Sequence, residues 1–158
     1  MKKPFVTDLS DNAIKSMITL LNARLADAID LKLAVKQAHW NIRGPGFIAL
    51  HELFDQIATR VDVHADTIAE RLIQLGGHAA GTTQAVAKAT TLAPYPVGTH
   101  DQTEHVAALS DRLRSFAKST REAIDEADEA GDADTADIFT GVSRAIDKDL
   151  WFVAAHNA

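Results

Sequence analysis

The sequence predicts an all-α protein, a bundle of four long helices with one long crossover between the second and the third. Three observations point there. Ala, Leu, Ile, Asp, Glu, Lys and Arg dominate the 158 residues, and strand-like alternation is absent. Four long segments carry apolar residues at helical spacing. A stretch over 78–98, rich in Ala, Thr, Gly and Pro, separates the first two of these segments from the last two.

The first helix is predicted from about Ser10 to Asn41, with Ile14, Met17, Ile18, Leu21, Leu25, Ala28 and Ile29 on its apolar face. Asp8 or Ser10 caps it, and Arg43-Gly44-Pro45-Gly46 breaks it. The second runs from about Phe47 to Leu75 and stops at Gly76-Gly77, a C-cap signal. Residues 78–98 form the crossover, with one short helix around Thr83–Ala89. The third long helix spans about Asp101–Ala130 and ends at Gly131. Asp132 caps the fourth, about Ala133–Ala155. A single long crossover is the mark of the up-down-down-up, ferritin-like bundle. At about 21 residues it exceeds ordinary loop length, so it is expected to be functional or partly structured.

Composition narrows the function. Surface scaling gives about 7,700 Å² folded against about 25,000 Å² unfolded, so roughly 69% is buried and one domain over 1–158 is expected, with 1–9 as a short N-terminal tail. The absence of Cys excludes disulfides, Cys zinc sites, thiol nucleophiles and Cys-held iron–sulfur clusters. No apolar run approaches the roughly 18 residues of a membrane span, and Met1-Lys2-Lys3 is not followed by a signal-peptide core, so a cytoplasmic protein without a membrane partner is expected. A net charge of −6 disfavours a dominant polyanion-binding surface. Two Met, one Tyr and no Cys leave few easily oxidised side chains.

Several motifs fail. Gly44-Pro45-Gly46 lacks the third glycine of a dinucleotide loop and follows a helix. His51-Glu52-Leu53-Phe54-Asp55 lacks the second imidazole of a zinc protease. No Glu is followed three residues later by His, so the E-x-x-H pairs of an in-bundle di-iron site are missing.

One constellation remains. His39 closes the first helix; His51 and Asp55 lie four apart early in the second, and Asp66 and Glu70 lie four apart late in it. A spacing of four puts each pair on one helix face, about 6 Å apart. Imidazole with carboxylate suits iron, manganese or zinc better than calcium. The two pairs are centred about 15 residues, hence about 22 Å, apart along the axis and about 60° around it. One chain cannot bring them to one metal. A second copy, antiparallel across a two-fold axis near Arg60–Val61, can, and symmetry then makes two equivalent sites per dimer. Spacing alone leaves a solvated acidic face open as the other reading. It also leaves Asp62 as either an additional acid or plain surface. It does not apportion Phe47, Leu50, Phe54 and Ile57 between core and interface. His64, His78, His100, His105 and His156 have no paired acids at ligand spacing and read as structural or surface residues.

Lys36-Gln37-Ala38-His39-Trp40-Asn41-Ile42-Arg43-Gly44, Phe47-Ile48-Ala49-Leu50-His51-Glu52-Leu53-Phe54-Asp55 and Asp66-Thr67-Ile68-Ala69-Glu70-Arg71 together resemble the Dps family, mini-ferritins named as DNA-binding proteins from starved cells. The likeness continues through Leu75-Gly76-Gly77, Gly81-Thr82-Thr83, Tyr95-Pro96, Asp134-Thr135-Ala136-Asp137-Ile138 and Asp147-Lys148-Asp149-Leu150-Trp151-Phe152. The combined pattern H-x11-H-x3-D-x10-D-x3-E is far more specific than any one part.

The resemblance implies a homo-dodecamer of four-helix subunits around an iron-storing cavity, with ferroxidase centres between two-fold-related subunits. His39, His51 and Asp55 match the ligands from one chain, Asp66 and Glu70 those from its neighbour, and Trp40 a tryptophan beside the centre. Asp134 and Asp137 match acids lining pores through which iron enters. The implied activity is oxidation of Fe²⁺ to Fe³⁺, preferably by hydrogen peroxide, followed by storage of ferric mineral, which protects DNA from oxidative damage. The alternative is a DNA-compacting protein with secondary iron chemistry. The chain departs from the DNA-binding members of the family. Its N-terminal segment holds only Lys2 and Lys3 and its C-terminus has no basic tail, so DNA binding is expected to be weak.

Overall fold

The computed structural model describes residues 4–6 and 8–157. Lys2 and Lys3, the tail lysines, lie outside the described residues. Helix α1 spans Asp11–Asn41, α2 Phe47–Gln74, α3 Thr83–Ala89, α4 Gln102–Glu129 and α5 Ala133–Ala154, followed by a 3₁₀ turn at Ala155–Asn157. The four long helices and the short crossover helix stand where the periodicity predicts them.

The ends follow local chemistry. Ser10 is the α1 cap, its hydroxyl accepting from the Ala13 amide at 3.2 Å. Asp101 and Asp132 cap α4 and α5 through their carboxylates. Gly76 (φ +83°) and Gly131 (φ +78°) take the left-handed conformation that turns the chain out of α2 and α4.

Helix order can be read from two cross-links. Arg43, just past α1, donates its amide to the His100 carbonyl at 2.8 Å, so α1 ends where α4 begins. Arg71, near the end of α2, forms an ion pair at 2.6 Å with Asp132, the α5 cap. The topology is therefore up-down-down-up, and the crossover runs the length of the bundle. Ile14, Met17, Leu21, Leu25, Leu31 and Val35 of α1 close a core with Phe54, Ile57, Ile68, Phe116, Leu109, Phe139 and Ile146.

The crossover is strapped down rather than loose. Asp27, fully buried on α1, accepts from the Thr91 amide at 2.7 Å and pairs with Arg24 at 3.0 Å. Asp30 accepts from the Thr90 hydroxyl at 2.8 Å. A buried carboxylate is tolerable when its oxygens are satisfied in this way.

Candidate metal centre

The end of α1 and the start of α2 bring His39 and His51 together. Their rings stack with centroids 3.8 Å apart and planes 19° from parallel. Each ring is tied to the other helix: His39 Nδ1 lies 2.8 Å from the His51 carbonyl oxygen, and His51 Nδ1 lies 2.9 Å from that of His39. A carbonyl oxygen only accepts, so both Nδ1 atoms carry the proton. In the neutral rings both Nε2 atoms keep a free lone pair. Fixing the ligating nitrogen through the other one is how metal-binding imidazoles are commonly held.

Asp55 lies one turn beyond His51 and is exposed. Its Oδ1 takes an ion pair at 2.7 Å from Lys36 of α1, and this ammonium holds the carboxyl below the usual carboxylate range. The Lys36 Nζ also stands 5.6 Å from the centre of the Trp40 ring, which is 66% exposed. Two turns along α2, Lys32 pairs with Asp62 at 2.6 Å, which makes Asp62 one half of a surface ion pair. Asp66 and Glu70 are exposed and, among the described residues, take part in no ion pair. Asp62 and Asp66 line an open hollow of about 460 Å³ whose walls include Leu25, Ile29, Val63 and Ala69.

Among the described residues, no three His, Asp or Glu side chains of one chain gather tightly enough to hold a metal. The structure thus brings His39 and His51 together, sets Asp55 beside them on Lys36, and keeps Asp66 and Glu70 at the far end of α2. Lys36 was not legible as a site residue, because its partner lies on another helix.

The acids singled out on α5 lie near its N-terminus, both exposed. Asp134 lies 3.6 Å from Arg71, and Asp137 is exposed. Behind them Arg71, 4% exposed, donates to Asp132 at 2.6 Å and to the Thr135 hydroxyl at 3.0 Å. A second bridge joins α2 to α5, where Arg60 grips the buried Asp149 carboxylate at 2.6 and 3.0 Å.

Other histidines make different contacts. His105 is fully buried, with Nδ1 2.7 Å from the Tyr95 hydroxyl; burial lowers its pKa and raises that of the phenol. His64, half-buried near Asp149 and Arg60, is also lowered by burial. His100 and His156 donate to backbone carbonyls, those of Asn41 at 3.1 Å and Phe152 at 2.8 Å.

A ferritin-like domain family matches residues 18–158. The DNA protection during starvation protein of Agrobacterium fabrum is 53% identical over 149 residues, covering 94% of this chain and 92% of that protein. Among solved structures, Mycobacterium smegmatis Dps superposes with a TM-score of 0.94 at 33% identity, covering 99% of this chain and 89% of that one. DpsA14 from Streptomyces coelicolor superposes with a TM-score of 0.93 at 35% identity, covering 98% and 91%.

Proposed function

The chain belongs to the Dps family of ferritin-like proteins, and from that premise we propose that it oxidises Fe²⁺ at centres shared between two subunits and stores the ferric product. The observation that carries this reading is the His39–His51 pair, two imidazoles whose Nδ1 protons are committed to backbone carbonyls and whose Nε2 lone pairs are left for a metal. Asp55 completes one half of the centre. Asp66 and Glu70 of the partner subunit supply the other half. The exposed hollow beside Asp66, with its apolar walls, is a surface that such a partner would cover.

Iron is the substrate. Imidazole with several carboxylates suits iron, and hard carboxylate oxygens favour Fe³⁺ over Fe²⁺ and so favour oxidation. Two Fe²⁺ give one electron each to one hydrogen peroxide; with two protons the O–O bond becomes two waters, and no hydroxyl radical is released. Lys36 holds the Asp55 carboxylate through Oδ1 before iron arrives and leaves Oδ2 to take the metal. Trp40, beside Lys36, is the side chain this reading assigns to intercept a stray oxidising equivalent.

Assembly as a hollow homo-dodecamer of single-domain subunits, with Asp134 and Asp137 lining the pores for iron, belongs to the same reading. Twelve chains of 17.0 kDa make a particle of about 204 kDa. DNA binding is read as weak. The Phe5 and Val6 amides lie 2.9 and 3.4 Å from the Gln74 carbonyl oxygen, which ties residues 5–6 to the end of α2. No helix among the described residues is long and apolar enough to cross a membrane. A cytoplasmic location belongs to the same proposal.

The test is anaerobic loading with Fe²⁺ followed by peroxide. Ferric absorbance should appear at one peroxide per two Fe²⁺, with the iron co-eluting with a particle of about 204 kDa. Iron that stays ferrous, or that elutes free of protein, refutes the proposal.

A further inference from the structure

The turn between α1 and α2 is held from outside those helices. Besides the Arg43 amide to the His100 carbonyl at 2.8 Å and His100 Nδ1 to the Asn41 carbonyl at 3.1 Å, Gly46 donates its amide to Oε1 of Gln102 at 2.8 Å. Gln102 opens α4, and its side chain packs beside Gly44 and Gly46. A Cβ on Gly44, whose φ is +139°, would stand 2.7 Å from Gln102 Oε1, and one on Gly46 would stand 3.1 Å from the same oxygen. Gly46 is the N-cap of α2 and has no side chain to cap with, so the start of that helix is located by this contact.

We propose that Gln102 is a positioning residue for the His39–His51 pair, setting the height of α2 against α1 and with it the spacing of the two free Nε2 atoms. The inference rests on the reading of that pair as half of a metal centre. His51 sits five residues past Gly46 on the helix that Gln102 locates. Its ring and carbonyl are bonded reciprocally to the carbonyl and ring of His39, at 2.9 and 2.8 Å. A displacement of α2 by about 1 Å lengthens or misaligns these bonds, loosening the rings and spreading their ligating atoms. Gln102 forms no hydrogen bond to either histidine. It acts only through the turn, which is why helical periodicity gave no sign of it.

The test uses the assembled, metal-free protein and Co²⁺ as probe, read by its d–d absorbance, with thermal unfolding and particle mass as controls. Gln102→Ala removes the acceptor; Gln102→Glu keeps an oxygen at the same reach. Loss of a group that orients a ligating imidazole typically weakens metal binding by about 10-fold or more, so Gln102→Ala should show that loss and Gln102→Glu should stay within about twofold of the parent. If the alanine variant fails to assemble, Gln102→Met, which keeps the bulk against the glycines, replaces it. Unchanged Co²⁺ affinity in the acceptor-less variant, or equal loss in Gln102→Glu, overturns the assignment. A crystal structure of each metal-free variant gives a second readout. The 3.8 Å ring stacking should persist in Gln102→Glu and be lost in Gln102→Ala; stacking retained in both refutes the clamp. A parent protein that binds no Co²⁺ while the stacking still follows Gln102 would sink the metal centre and leave the clamp standing.

Discussion

A centre divided between subunits makes a quantitative prediction that a centre within one chain cannot. His51→Ala removes one imidazole and its bond to the His39 carbonyl, a local loss of about 1 kcal/mol that leaves the core untouched. Asp66→Asn changes an exposed carboxylate. Each variant alone puts one damaged ligand in every site, and peroxide-driven iron oxidation should fall by at least about 10-fold. The two positions lie 15 residues apart on one helix, about 22 Å along its axis, too far for one metal. In an equal mixture of the two chains, about half of the two-fold pairs are mixed, and each mixed pair holds one site with both halves intact. Mixed assemblies should therefore recover about one quarter of the parent rate. Co-expression with two affinity tags and tandem purification gives the mixed particles, and stopped-flow ferric absorbance reads the rate. Mixed particles that contain both chains equally and remain at the single-variant rate would refute the shared centre. So would single variants that oxidise iron at the parent rate.

Other perturbations probe the surroundings. Arg71→Leu strands the buried Asp132 carboxylate, 2% exposed, at a cost of about 3–5 kcal/mol, or on the order of 6–20 °C in thermal midpoint; adding Asp132→Asn, which keeps the cap acceptor for the Thr135 amide, should restore much of it, and a loss under about 1 kcal/mol would show that the pair is not isolated from water. Burial lowers the pKa of His105, so the unfolded chain takes up the proton first and stability falls as pH drops through about 6.5. Thermal melts between pH 7.5 and 5.5 should show that fall and a smaller one in His105→Gln; His64, shifted the same way, accounts for part of what remains. Asp134→Asn with Asp137→Asn should slow iron uptake while particle mass and oxidation of pre-bound iron stay unchanged, and unaltered uptake removes the pore assignment.

Sequence alone determined the helices, their caps and breaks, and the spacing of the ligand pairs, because each depends on residues within a few positions of one another. Ser10, one of the two caps offered for the first helix, and Asp132 cap the helices they precede, and Gly76 and Gly131 end the helices they follow. Spacing on one helix was also enough to show that one chain cannot bring Asp66 and Glu70 to the same metal as His51 and Asp55. Tertiary structure alone decided what depends on one helix being set against another. It buried Leu50, Phe54 and Ile57 in their own bundle and left Phe47 40% exposed, a division that periodicity left open. It turned the His39 and His51 rings onto each other's carbonyls, placed Lys36 on Asp55 and Lys32 on Asp62, and buried His105 beside Tyr95. A side chain's place on its own helix follows from a repeat of 3.6 residues, whereas its partner across the bundle is set by an axial shift of an ångström or two, fixed by the whole core and by the turn that Gln102 braces.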